Sequence, residues 1–121
     1  MFKLVVLIEG QDDLLRFENR WPKFLALAEK MPGLVKEAKS PIHSRLYGNL
    51  EVSMIFEMFF ESLDALKAAM ASPEGVAAGQ MLQTITDGNV TLLYSEHMED
   101  DLKNIQAYQK DKKGKVKDDK R

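Results

Sequence analysis

The sequence predicts a single α+β domain whose elements run strand, helix, strand, strand, helix, strand. Three observations carry this. Residues 2–8 and 52–60 are short, almost wholly apolar runs of the kind buried on both faces of a sheet. Each is followed by apolar residues at helical spacing. Gly48-Asn49 is a turn signal between two extended stretches, which makes the middle strands a hairpin. Two right-handed crossovers around a hairpin give a four-stranded antiparallel sheet with the helices on one face. That is the ferredoxin-like βαββαβ arrangement.

The elements follow in order. Residues 2–8 form the first strand, central in character, and Glu9 ends it. With no basic leader and no small-residue cleavage site, this stretch reads as a strand and not as a signal peptide. Asp12 and Asp13 offer capping carboxylates. Leu14, Phe17, Trp21, Phe24, Leu25, Ala28 and Met31 then recur at steps of three and four. This is an amphipathic helix with an aromatic-rich face. Pro22 lies inside it and lacks the N–H of a helix interior, so a kink or a break is expected there. Pro32-Gly33 stops the helix, and residues 34–39 resume extended structure. Pro41 interrupts that strand and assigns it to a sheet edge.

Residues 52–60 are the second central strand. Ser62 caps a short helix marked by Leu63, Leu66 and Met70. Ser72-Pro73-Glu74 starts a second helical piece: a capping serine, proline at the first position, an acid in the first turn. Val76, Gly79 and Leu82 continue it. Asp87-Gly88-Asn89 turns the chain into the last strand, residues 90–94, an edge.

The domain so defined covers residues 1–98. Residues 99–121 form a charged tail, with eight Lys or Arg against six Asp or Glu. Leu102, Ile105 and Tyr108 support one short helix in it, and residues 110–121 are too charged to fold alone.

Composition bounds the function. The 121 residues fit one domain, and a net charge of -2 implies neither nucleic acid nor an anionic membrane as partner. Asp111, Asp118 and Asp119 dilute the basic charge of the tail. No apolar run approaches the roughly 20 residues of a membrane span. The absence of cysteine removes disulfides, thiolate nucleophiles and cysteine metal sites, and fits a reducing, cytoplasmic setting. One partner is implied. Both central strands carry apolar groups on both faces, yet the helices cover only one. A second copy of the chain, pairing sheet to sheet, would cover the other and enclose a cavity.

Candidate chemistry is sparse. His43 and His97 stand at no metal-ligand spacing, so no metal site is predicted. No Gly-rich phosphate loop and no Gly-x-Ser-x-Gly occurs, so no cofactor is predicted either. Glu57 is the candidate catalytic residue, because it interrupts an apolar strand and must reach solvent, a partner or a cavity. Period-two counting puts Ser53, Ile55, Glu57 and Phe59 on one face. Lys3, Val5 and Leu7 share a parity on the first strand, and Thr91, Leu93 and Ser95 on the last. If these faces coincide and line the inter-sheet space, Glu57 is an acid–base group there, with Ser53 and Thr91 as ligand contacts. The plainer alternative pairs Glu57 with Lys or Arg at the dimer seam. Trp21 and Phe24 are further candidate ligand contacts, although aromatics at this spacing are more often core. Tyr47 adds a hydroxyl to the candidate ligand set. Met54, Met58, Met70 and Met81 read as gap fillers that would also suit an adaptable apolar ligand.

Several segments together are similar to one family. They are Lys3-Leu4-Val5-Val6-Leu7, Met31-Pro32-Gly33-Leu34, Glu57-Met58-Phe59-Phe60-Glu61-Ser62, Ala71-Ser72-Pro73-Glu74-Gly75 and Gly88-Asn89-Val90-Thr91-Leu92-Leu93. In this order and spacing, over about residues 2 to 96, the chain resembles the EthD family of dimeric α+β barrel proteins. The Ser-Pro-Glu-Gly step is the most distinctive. The resemblance implies a ferredoxin-like protomer, a homodimer, and a small apolar or aromatic metabolite bound or transformed without a cofactor. Monooxygenase-like oxidoreductase chemistry and isomerase- or cyclase-like chemistry are the implied activities. A non-catalytic dimeric accessory protein of a catabolic or biosynthetic pathway is the alternative. One departure favours that alternative. Where the family often carries His-x-Pro-Leu in the first helix, Phe24 holds the histidine's place, and the proline is displaced to Pro22.

Overall fold

A computed structural model describes residues 1–103 of the chain; the predicted helix at Ile105 and Tyr108 and the charged residues 110–121 lie outside the described residues. Strand β1 (Phe2–Glu9) lies in the middle of a four-stranded antiparallel sheet with order β2-β3-β1-β4. Its flanks are β3 (Val52–Phe60) and β4 (Val90–Glu96), and β2 (Lys36–Pro41) closes the other edge. The two apolar runs are the two central strands, as their composition predicts. Side chains alternate across a strand. Leu4, Val6 and Ile8 of β1 and Met54, Phe56, Met58 and Phe60 of β3 are buried on one face. All three helices pack on that face, and the core cluster lies between them and the sheet.

Helix α1 (Leu14–Ala28) starts where Asp13 caps it, its carboxylate accepting from the Arg16 backbone N–H at 3.0 Å. The predicted kink or break at Pro22 is corrected: α1 runs through Pro22 as one helix. Pro22 and Glu18, whose carbonyl loses its donor, are both exposed, so the orphaned oxygen faces water. Phe17, Trp21, Phe24 and Ala28 meanwhile hold both halves on the same core. The helix also ends earlier than its apolar spacing suggests. Met31 is buried but follows the helix, turned back by its N–H bond to the Ala28 carbonyl at 3.1 Å.

Strand β2 begins later than expected and takes Pro41 as its last residue, opposite Met54. Beyond it the Ile42 N–H still bonds the Ser53 carbonyl at 2.9 Å. The second crossover is two helices, α2 (Leu63–Ala71) and α3 (Pro73–Thr86), as predicted. Ser72 makes the elbow between them. Its hydroxyl donates to the Ala69 carbonyl at 2.6 Å and accepts from the Gly75 N–H at 3.0 Å, so one side chain ends α2 and caps α3. Pro73 needs no donor at the first helical position. Gly75 is required for close approach, since a Cβ there would overlap the Ala69 carbonyl oxygen and lie 2.8 Å from that of Met70. The Ser-Pro-Glu-Gly step is thus one mechanical joint. At the far end, Asp87 (φ 53°) and Gly88 (φ 80°) turn the chain into β4. β4 runs to Glu96, two residues beyond the expected end, with Ser95 and Glu96 opposite Lys3 and Phe2. Among the described residues, no helix is long and apolar enough to cross a membrane.

Candidate functional site

The first half of α1 overhangs the end of β2 and the start of β3. Between them is a cleft of ≈ 280 Å³. Leu14, Phe17, Trp21 and Met54 make its apolar walls, with Pro41 and Ser53 alongside. Its ionisable groups are Glu18 and Lys39. The volume is near the lower end of small-ligand sites, which start at about 300 Å³.

Trp21 anchors this cleft. It packs against Phe17 at 5.5 Å between ring centroids, against Phe24 at 4.9 Å, and edge-on against Phe56 at 5.2 Å. Such tilted and edge-on pairs are the favourable aromatic geometries. Lys39 Nζ stands 5.9 Å from the Trp21 ring, within cation–π range. The indole is 5% exposed, and its Nε1 has no hydrogen-bond partner among the described residues. A buried donor left unpaired costs about 1–3 kcal/mol. The aromatic cluster therefore holds Trp21 in place against that penalty.

The opposite side of the sheet is a second surface. The strand register brings Lys3 opposite both Phe59 and Ser95, Val5 opposite both Glu57 and Leu93, and Leu7 opposite both Ile55 and Thr91. The three polar-bearing parities therefore share one face, the coincidence that the period-two count alone left open. No helix covers it. Val5, Leu7 and Ile55 are half-buried there, and Leu93 is exposed. Lys3 Nζ and Glu57 Oε2 are 2.6 Å apart. Phe59 is buried beneath Lys3, Lys36 and His97, with Lys36 Nζ 4.8 Å from the ring and the imidazole edge-on at 5.0 Å. His97 also holds Glu99 at 2.6 Å, and this imidazole keeps the Glu99 carboxyl below its ordinary range.

The predicted site residues are divided by the sheet. Trp21 and Ser53 both line the α1 cleft; Ser53, which period-two counting puts on the face of Glu57, lies where the β1–β3 register shifts between Ile8 and Glu9. Phe24 packs behind Trp21 at 1% exposure, closed into the core and absent from the cleft's lining. Glu57 and Thr91 belong to the open face, where Glu57 is tied to Lys3 and the Thr91 hydroxyl donates to Glu9 at 2.8 Å. Ser53 donates to the Ile8 carbonyl at 3.2 Å. Tyr47 is on the β2–β3 connection, 94% exposed. His43 is exposed with Ser44 beside it, and among the described residues no three His, Asp or Glu side chains gather as metal ligands.

Sequence reasoning missed Glu18, Lys39 and Pro41 as parts of a site. Pro41 was legible only as an edge marker. Lys39 has the opposite strand parity from Ala38, which faces Glu57, and that alternation was the available signal.

No protein-family model and no curated protein matches the chain. Solved structures do. An EthD family protein from Bacillus halodurans is similar with a TM-score of 0.76 and 27% identity, over 81% of this chain and 99% of that one. A dimeric ferredoxin-like protein of unknown function from Jannaschia sp. CCS1 is similar with a TM-score of 0.60 and 20% identity, over 79% of this chain and 98% of that one. SnoaB, a cofactor-independent oxygenase from Streptomyces nogalater, is similar with a TM-score of 0.60 and 15% identity, over 82% of this chain and 94% of that one. The last two likenesses speak to fold alone.

Proposed function

From an EthD-like chain with a ferredoxin-like fold, we propose a homodimer that binds a small aromatic or apolar compound in the cleft beneath α1. The observation that carries this is the cleft itself: ≈ 280 Å³ of space walled by Phe17 and Trp21, with charged groups only at Glu18 and Lys39. An apolar pocket with few polar groups is the usual form of a small-molecule site. The dimer is supported by the uncovered sheet face and by similar structures described as dimeric.

Glu57 belongs to the dimer seam in this reading. Lys3 neutralises it, and the sheet separates it from the cleft. Activity without a cofactor, the description that SnoaB carries, is the chemistry to assay on the bound compound. A second reading, a non-catalytic accessory dimer, has one observation in its favour. Phe24 stands where the family often carries a histidine, and it fills that space with a ring packed on Phe56 at 5.8 Å.

The chain has one tryptophan, so its fluorescence reports on this cleft alone. Titration of the full chain with 2-naphthol is expected to quench Trp21 saturably, with added salt having little effect. A linear, unsaturable response across one- and two-ring aromatics would overturn the binding reading. Mass analysis of the bound compound after incubation in air then separates the two readings: altered compound means an enzyme, intact compound an accessory protein.

A further inference from the structure

Residues 42–51 connect β2 to β3, far longer than the two to five residues that close an ordinary hairpin. The connection is not slack. Ile42 is bonded to Ser53 through the backbone at 2.9 Å, and Arg45 Nη1 meets Glu51 Oε2 at 2.6 Å across the arm. Gly48, at φ 108°, makes the turn near its tip. The tip is apolar. Leu46 is 100% exposed, Tyr47 94% and Leu50 68%. Scattered exposed apolar residues are ordinary, but three within five positions on a pinned arm form a surface.

We infer that this arm clamps a second copy of the chain, with Leu46 and Tyr47 packed against the partner. The inference rests on the homodimer proposed above and adds to it a contact away from the sheet. The argument for a second copy is continuity. The strands that bear the arm are β2 and β3, and Ala38 opposite Glu57 and Ser40 opposite Ile55 belong to the open sheet face. A protomer seated on that face lies against the root of the arm. Tyrosine is among the side chains that most often anchor an interface, because its ring buries much area and loses little rotamer freedom. Among the described residues, neither tip side chain is buried against its own protomer.

Sedimentation equilibrium on the full chain tests this, with wild type beside a Leu46→Ser/Tyr47→Ser variant. The expected result is a wild-type dimer whose dissociation constant rises at least tenfold in the variant, with an unchanged far-ultraviolet circular dichroism spectrum. A wild-type monomer at micromolar concentration overturns the homodimer and this inference together. A wild-type dimer with an equally tight variant overturns the arm contact and leaves the sheet pairing standing. Hydrogen exchange supplies a readout without substitution. Amides of residues 43–50 are expected to exchange more slowly at dimeric than at monomeric concentration, and equal exchange at both overturns the clamp.

Discussion

Lys3 Nζ stands 2.6 Å from Glu57 Oε2 on the sheet face that no helix among the described residues covers, with side chains only 16% and 20% exposed. Neighbouring side chains on this face are Val5, Ile55 and Phe59. Removing one member of a poorly solvated ion pair strands the other, whereas replacing both with apolar groups does not. Glu57→Gln is therefore expected to lower stability by about 1–3 kcal/mol. A Lys3→Met/Glu57→Met double variant should recover most of it, as read from urea midpoints. Glu57→Gln should also weaken dimerisation while leaving 2-naphthol binding in the cleft unchanged. Loss of cleft binding would return Glu57 to the ligand site.

The Ser72 elbow predicts a steep response to small changes. Ser72→Ala removes the cap of α3 and the bond to Ala69, an expected cost of about 1–2 kcal/mol. Gly75→Ala drives a methyl into the Ala69 carbonyl, an expected cost of about 3 kcal/mol. Thermal denaturation followed by circular dichroism reads both. A Gly75→Ala protein as stable as wild type would mean that α2 and α3 are not locked at this angle.

Acid stability carries a signature from Glu37. Burial first, and then Glu29 beside it, raises its carboxyl from 4.5 to about 6. The folded state thus holds a proton that the unfolded state releases. Its contribution is full below about pH 4.5, fades as pH rises through about 6, and is absent at pH 7. The site is mostly open to solvent, so screening limits the effect to about 1 kcal/mol or less. Glu37→Gln is expected to raise stability at pH 7 and to flatten the profile between pH 4.5 and 6. Chemical denaturation at a series of pH values measures it, and a variant with the wild-type slope would refute the assignment.

Phe24 touches both Trp21 and Phe56 in the middle of the core. Phe24→Ala is expected to cost about 3–5 kcal/mol, the range for emptying a buried aromatic site. The space it leaves lies directly behind Trp21. The same variant should therefore shift the Trp21 emission maximum, and an unshifted spectrum would place the vacated volume elsewhere.

How far the chain could be read in advance depends on the range of the interaction concerned. Caps at Asp13, Ser62 and Ser72 depend on residues three positions away, and they start helices where the sequence says. Strand parity is also local, so the grouping of Lys3 with Val5, of Glu57 with Ile55 and of Thr91 with Leu93 could be counted, but that the three groups share a face follows from the strand register. Continuity of α1 through Pro22 was not legible, because it depends on which side of the helix meets water. The end of β4 depends on Phe2, a partner nearly the whole domain away in sequence. The cleft depends on three separate elements meeting at one end of the sheet. Nothing near Lys39 in the sequence announces that Trp21 will lie beside it.

The position of β1 between β3 and β4 has a consequence during synthesis. β1 pairs with two strands that leave the ribosome much later, one starting at Val52 and the other at Val90. Until residue 52 emerges, β1 has neither neighbour. Until residue 96 emerges, one of its edges stays bare. Such distant pairings slow folding and leave an apolar strand able to join another nascent chain. On polysomes, where many copies emerge close together, the vulnerable interval is the translation of residues 9–96, and a chain stalled before Val90 should depend on a chaperone to stay in solution.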